Sequence, residues 1–107
     1  MSLVKISDYS EAPEDESGKT IHLEHPYTLF KYDLALFKAE GKYFVITDKC
    51  TKCAGSLGHG VLRGKFAICS NQECLWNIQK GYCKFDRSSV LPTYKVQEKE
   101  DGLYIEI

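Results

Sequence analysis

The chain has 107 residues, with 14 Lys and Arg against 15 Asp and Glu and a formal net charge of -1. That length allows one domain with a modest core, which gains from a staple such as a bound metal. The balanced charge, without a basic stripe, excludes nucleic acid as a partner, and no apolar run approaches the length of a membrane span.

The N-terminus lacks the charged-then-apolar order of a signal peptide, so a cytoplasmic protein is expected. In a reducing compartment clustered cysteines bind metal more often than they form disulfides. Five cysteines suit four ligands and one spare.

In chain order, residues 2–7 alternate apolar and polar and predict an edge strand. Residues 8–19 are polar and contain Pro13, Gly18 and the acidic run Glu14, Asp15 and Glu16. They predict a surface loop, its charges a solvated tip or, on a sharper reading, a docking patch for a basic redox partner. A strand returns over Thr20 to Leu23 and ends at Pro26. Leu29 to Tyr32 and Leu34 to Lys38 are two short apolar runs, and Glu40, Gly41 and Lys42 form a hairpin turn. Tyr43 to Thr47 is the strongest strand, aromatic and β-branched. It runs directly into Asp48, Lys49 and Cys50.

Next comes a glycine-rich turn, Leu57 to Gly60. Val61 to Arg63 and Lys65 to Ile68 form a hairpin that delivers Cys69. Leu75 to Ile78 is a short strand closed by the turn at Lys80 and Gly81. Val90 to Thr93 is a connection carrying Pro92. Tyr94 to Gln97 pairs with Leu103 to Ile107 around Asp101 and Gly102. No segment keeps a helical period, and closely spaced strands and turns predict an all-β sandwich or barrel. The expected organisation is one domain over 1–107, with a metal-loop hairpin subdomain at about 48–82.

The chemistry is concentrated in two cysteine pairs, Cys50 with Cys53 and Cys69 with Cys74. Each pair fits on one loop tip, and the residues between them are enough to bring the tips together. Four thiolates so arranged suit a tetrahedral Zn or Fe, or an iron–sulfur cluster. Cys83 has no partner in spacing and is expected to be a buried thiol. His59 is expected to face solvent in its turn, and His22 and His25 to be surface or satisfied core groups. Trp76 is expected to pack under the loops and Lys52 to be a solvated loop lysine. No Ser/His/Asp set, paired carboxylates or phosphate-binding glycine loop occurs, so substrate turnover is not expected. A reactive C-x-x-C oxidoreductase is disfavoured, because the motif opens no helix.

From about Leu34 onward the layout resembles the Rieske-type ferredoxin family. Cys50 and Thr51 open a first loop that closes on Ser56-Leu57-Gly58-His59-Gly60. Cys69 opens the second, followed by Trp76 and Gly81. The tail from Leu91 to Val96, closing on Asp101 to Ile105, is similar to that family's last hairpin. The resemblance implies a Rieske-like antiparallel β scaffold, one-electron transfer and a redox protein partner, with the chain itself a monomer.

Lys52 and Gln72 stand where the family has its two histidine ligands. A protonated lysine offers no lone pair, and a glutamine amide is a poor iron ligand. A two-histidine cluster therefore does not fit these positions. Cys53 and Cys74 lie close to the vacated places, which looks like a site exchanged as a unit, as in an engineered variant. Cys50, Cys53, Cys69 and Cys74 are thus the expected ligands of one Fe (rubredoxin-like) or Zn. An all-cysteine [2Fe–2S] cluster and a zinc-stapled protein-binding module are the alternatives.

Overall fold

The computed structural model describes residues 3–52, 55–69 and 74–107. Among these residues there are twelve strands and no helix. Strands β1 (Leu3–Ser7), β12 (Gly102–Glu106) and β11 (Val96–Lys99) form one sheet in the order β1-β12-β11. A second sheet runs β10-β4-β3-β2, from Thr93–Tyr94, Lys42–Thr47, Lys31–Ala39 and Ser17–Glu24. The third, β5-β6-β7-β8-β9, comprises Val61–Arg63, Phe66–Ile68, Leu75–Asn77, Tyr82–Cys83 and Asp86–Val90. Every pairing is antiparallel.

The second sheet is the middle layer, because both of its faces are buried. In β3 the residues Leu34, Ala35, Leu36 and Phe37 are all enclosed. A strand with two covered faces loses its alternation and becomes a continuous apolar run. Leu34 and Leu36 pack with Val45, Leu103 and Ile105 toward the first sheet. Ala35, Phe37 and Ala39 turn the other way, onto Ile46, Trp76 and the cysteine loops. Trp76 is fully buried there. Removing so large a ring costs about 3–5 kcal/mol in typical cores.

The structure differs from the sequence pattern in four places. The two apolar runs of residues 29–38 are not separate: from Lys31 they form one strand, β3, paired with β2, and Leu29 and Phe30 precede it, exposed. Asp33 interrupts the pattern only because it sits exposed opposite His22. Residues 17–19 extend β2 rather than ending a loop, since Ser17 to Lys19 find partners in Lys38 to Leu36. Strands β8 and β9 have no sequence signal, β8 being only two residues long and β9 polar, and β8 is held where Cys83 pairs with Trp76. Tyr94 belongs to the middle sheet beside Val45, whereas Val96 begins the last hairpin.

Two backbone features hold the chain to this path. Glu40 and Gly41 both have positive φ, 52° and 75°, and link Ala39 to its partner Lys42 in a tight two-residue turn. Gly60 lies against the carbonyl of Ile68 so closely that any Cβ there would overlap the oxygen. Gly60→Ala is therefore expected to lower the unfolding free energy by about 2 kcal/mol or more, read as a reduced denaturation midpoint.

Candidate metal centre

The first cysteine loop leaves the end of β4 through Asp48. This buried residue ties the loop to the middle sheet at several points. Its amide donates to the carbonyl of Asp33 at 3.0 Å, and its carbonyl accepts from Leu57 N–H at 2.8 Å. Its carboxylate accepts from Ser56 Oγ at 2.8 Å and 2.9 Å, from Gly58 N–H at 2.8 Å and from Thr20 Oγ1 at 3.2 Å. A buried carboxylate is tolerated when its lone pairs are filled in this way. Cys50 N–H donates to Gly55 O at 2.8 Å and closes the loop on itself.

The second loop continues the β6–β7 hairpin. Ile68 pairs with Leu75, so Cys69 and Cys74 are the next residues outward, and Cys69 N–H donates to Cys74 O at 3.0 Å. The two loops meet in the core. The sulfurs of Cys50, Cys69 and Cys74 all lie within 4.8 Å of one another, and all three residues are buried. Cys53, Gln72 and the other residues of 53–54 and 70–73 lie outside the described residues. The expected convergence of the two tips is thus met by three of the four cysteines singled out.

Indole N–H of Trp76 donates to Cys50 Sγ at 3.2 Å, with both groups fully buried. Such a donor offsets negative charge on sulfur. Lys52 is exposed, as expected of a loop lysine, and its Nζ reaches Asp86 Oδ2 at 2.8 Å, clipping the first loop to β9. The hydrogen bond to Asp86, reinforced by that residue's charge and by Cys83 and Cys74, holds Lys52 more firmly protonated than an ordinary lysine. Its positive charge is thus close enough to Cys74 and Cys83 to be felt there. Asp86 in turn is held well below the usual carboxylate range, by Lys52 first and then by Ser88 and Ser89.

The other singled-out groups lie outside the sulfur cluster. Cys83 is a buried thiol opposite Trp76. His59 is exposed, with Nδ1 2.9 Å from Ser56 Oγ and 3.3 Å from Thr20 Oγ1. His22 is exposed beside Asp33, and His25 is buried, its Nδ1 accepting from the amides of Tyr27 and Thr28. The acidic run Glu14 to Glu16 packs against the β3–β4 turn, where Asp15 accepts from Gly41 N–H. That is the opposite end of β4 from the cysteines. Asp48, Ser56 and the Lys52–Asp86 clip carry no ligand signature and are not found by cysteine spacing. Their only trace is an Asp at the end of the strongest strand, placed to bond the turn that follows.

No family model and no curated protein matches the chain. Among solved structures it is similar to the ferredoxin of Sphingomonas yanoikuyae B1, with 19% identity, 99% of each chain covered and a TM-score of 0.77. It is similar to the ferredoxin of carbazole 1,9a-dioxygenase from Nocardioides aromaticivorans IC177, at 10% identity, 98% of this chain, 97% of that one and a TM-score of 0.76. A component of 2-oxoquinoline 8-monooxygenase, described with a Rieske-[2Fe–2S] centre, matches at 15% identity with a TM-score of 0.79. The match covers 96% of this chain and 25% of that one. At these identities the likeness is one of fold, and the fold is that of Rieske-type ferredoxins, as the resemblance implied.

Holding Asp86 ionised stabilises the folded state at every pH above the ordinary carboxylate range. The contribution is lost as pH falls below about 4 toward the lowered folded-state value. Denaturation midpoints followed downward from neutral pH are therefore expected to drop more steeply for the native chain than for Asp86→Asn.

Proposed function

We propose that this protein is a Rieske-type scaffold carrying one metal ion on Cys50, Cys53, Cys69 and Cys74, and that with iron it serves as a one-electron carrier for a redox protein. It turns over no substrate of its own. The supporting observation is the convergence of three buried sulfurs from both loops. Cys53 is assigned as the fourth ligand from its spacing to Cys50, as in one half of a rubredoxin knuckle.

The donor set fits a single ion better than a cluster. Four thiolates at about 2.3 Å from one metal lie about 3.8 Å apart along a tetrahedral edge. Thiolates on opposite irons of a sulfide-bridged pair lie about 5 Å apart or more. The limit of 4.8 Å for all three pairs favours the first arrangement. Iron in this site would supply reversible one-electron chemistry, whereas zinc would be redox-silent and structural.

The chain's own groups serve that site in three ways. Burial of Cys50, Cys69 and Cys74 keeps water from their sulfurs. Trp76 N–H and the nearby Lys52 charge offset the negative charge that four thiolates bring. The ties through Asp48 hold the first loop on a rigid sheet, so the sulfurs keep their places in either oxidation state. The zinc-staple reading has one observation in its favour: the three cysteines are themselves members of the larger hydrophobic cluster, so a metal there would bind the layers together.

Purified protein reconstituted with iron under reducing conditions is expected to hold one metal per chain and no acid-labile sulfide, and to be red when oxidised. Zinc-loaded protein is expected to be colourless. Cys53→Ser and Cys74→Ser should each lose most of the metal. Sulfide equal to iron, or unchanged metal content in Cys53→Ser, would overturn the assignment. In the iron form, Trp76→Phe removes one donor to Cys50 and is expected to lower the potential by several tens of millivolts (~50 mV), measured by voltammetry, with metal content retained.

A further inference from the structure

The five-stranded sheet has an outer face that the metal site does not use. The register turns Leu62, Ala67, Trp76 and Cys83 inward, where all four are buried. Val61, Ile68 and Leu75 therefore form a row across the outer face, with Val61 55% exposed. The row adjoins the sulfur site, since Ile68 precedes Cys69 and Leu75 follows Cys74. Here lies an open depression of about 280 Å³, walled by His59, Val61, Arg63, Ile68 and Leu75 and reaching Cys69.

The rim of this face is cationic. Arg63 borders the depression. Lys84 Nζ sits 5.3 Å from the ring centroid of Phe66, and the Arg87 guanidinium 5.0 Å from that of Tyr82. These two rings touch edge to face at 6.3 Å, so aromatic faces hold both cations beside the apolar row. From Asp48 to Val90 the chain carries seven of its 14 Lys and Arg but only three of its 15 Asp and Glu. Of those acids, Asp48 is buried and Asp86 is paired with Lys52, leaving Glu73. The rest of the chain has the opposite excess, with seven basic and twelve acidic residues.

We propose that the outer face of the five-stranded sheet is a docking surface for an acidic electron-transfer protein, seated on Val61, Ile68 and Leu75 with its carboxylates against Arg63, Lys84 and Arg87. This rests on the electron-carrier reading and adds the partner's chemistry and its side of approach. Charge complementarity selects the occupant. A basic carrier, or the same face of a second copy of this chain, would meet like charge, which costs affinity at an interface. A partner docked here lies over Cys69, so its redox group approaches the site through a ligand sulfur. The acidic tip at Glu14 to Glu16, at the far end of β4, is not the contact.

The test uses ¹⁵N-labelled, zinc-loaded protein titrated at low salt with flavodoxin, an acidic one-electron carrier, and separately with basic cytochrome c. Flavodoxin is expected to shift the amides of residues 59–68, 75 and 82–87, and cytochrome c is not. Binding should weaken tenfold or more between about 0.01 M and about 0.15 M salt, as the screening length contracts from about 30 Å to about 8 Å. The double variant Arg63→Glu with Lys84→Glu should weaken it about tenfold, whereas Lys5→Glu on β1 of the first sheet should not. No binding of flavodoxin, shifts on the other two sheets, or affinity indifferent to the double variant would overturn the proposal. Zinc content measured on the same samples separates the outcomes. Lost docking with zinc retained defeats the surface alone, whereas chain that takes up no zinc defeats the metal reading, and its amide shifts still report the docking.

Discussion

A carboxylate taken out of water must have its lone pairs filled, and Asp48 meets that demand from two elements while its main chain adds ties to two more places. Thr20 donates from β2, Ser56 and Gly58 donate from the loop, and the main chain of Asp48 bonds to β3 and to Leu57. Losing one partner would leave the others with an unmet buried charge, a penalty of several kcal/mol. The first cysteine loop therefore cannot drift from the middle sheet without breaking this set. Its position, and with it that of Cys50, follows from satisfying one buried acid.

The second loop is held differently. It is the open end of a hairpin whose inner face packs Ala67 and Trp76 into the core. The two mechanisms meet at one contact, the Trp76 N–H donated to Cys50 sulfur. A tryptophan fully enclosed needs a partner for its N–H, and a sulfur bearing negative charge needs a donor. Lys52, two residues after Cys50, is paired with Asp86. Its charge remains near the sulfurs without occupying the site.

Charge is divided along the chain. The segment from Asp48 to Val90, which bears the site, is cationic and the rest carries an acidic excess, most of it in the loops, although the whole chain is nearly neutral. Such a separation leaves stability little changed but orients encounters with charged partners. It is also where composition alone misleads. A net charge of -1 hides opposite excesses that become surfaces only when the sheets are assembled.

The strong strands were legible because their residues carry their own signal. Tyr43 to Thr47 is β-branched and aromatic, and turns such as Glu40-Gly41 and Asp101-Gly102 demand specific backbone geometry. Cysteine spacing likewise marked the two loops, since ligands must sit close in sequence to share a loop tip. By contrast, the single strand β3 looked like two runs, because one exposed Asp33 breaks a pattern whose continuity depends on neighbours. Strands β8 and β9 were invisible, the first only two residues long and the second polar, both held by pairing rather than propensity. The sequence by itself determined an all-β chain with thiols on two loops. Only the tertiary structure decided that three of those sulfurs meet, that Trp76 donates to one of them, and that Asp48 anchors the approach. Those are contacts between residues far apart in the chain, and no local pattern encodes the distance between them.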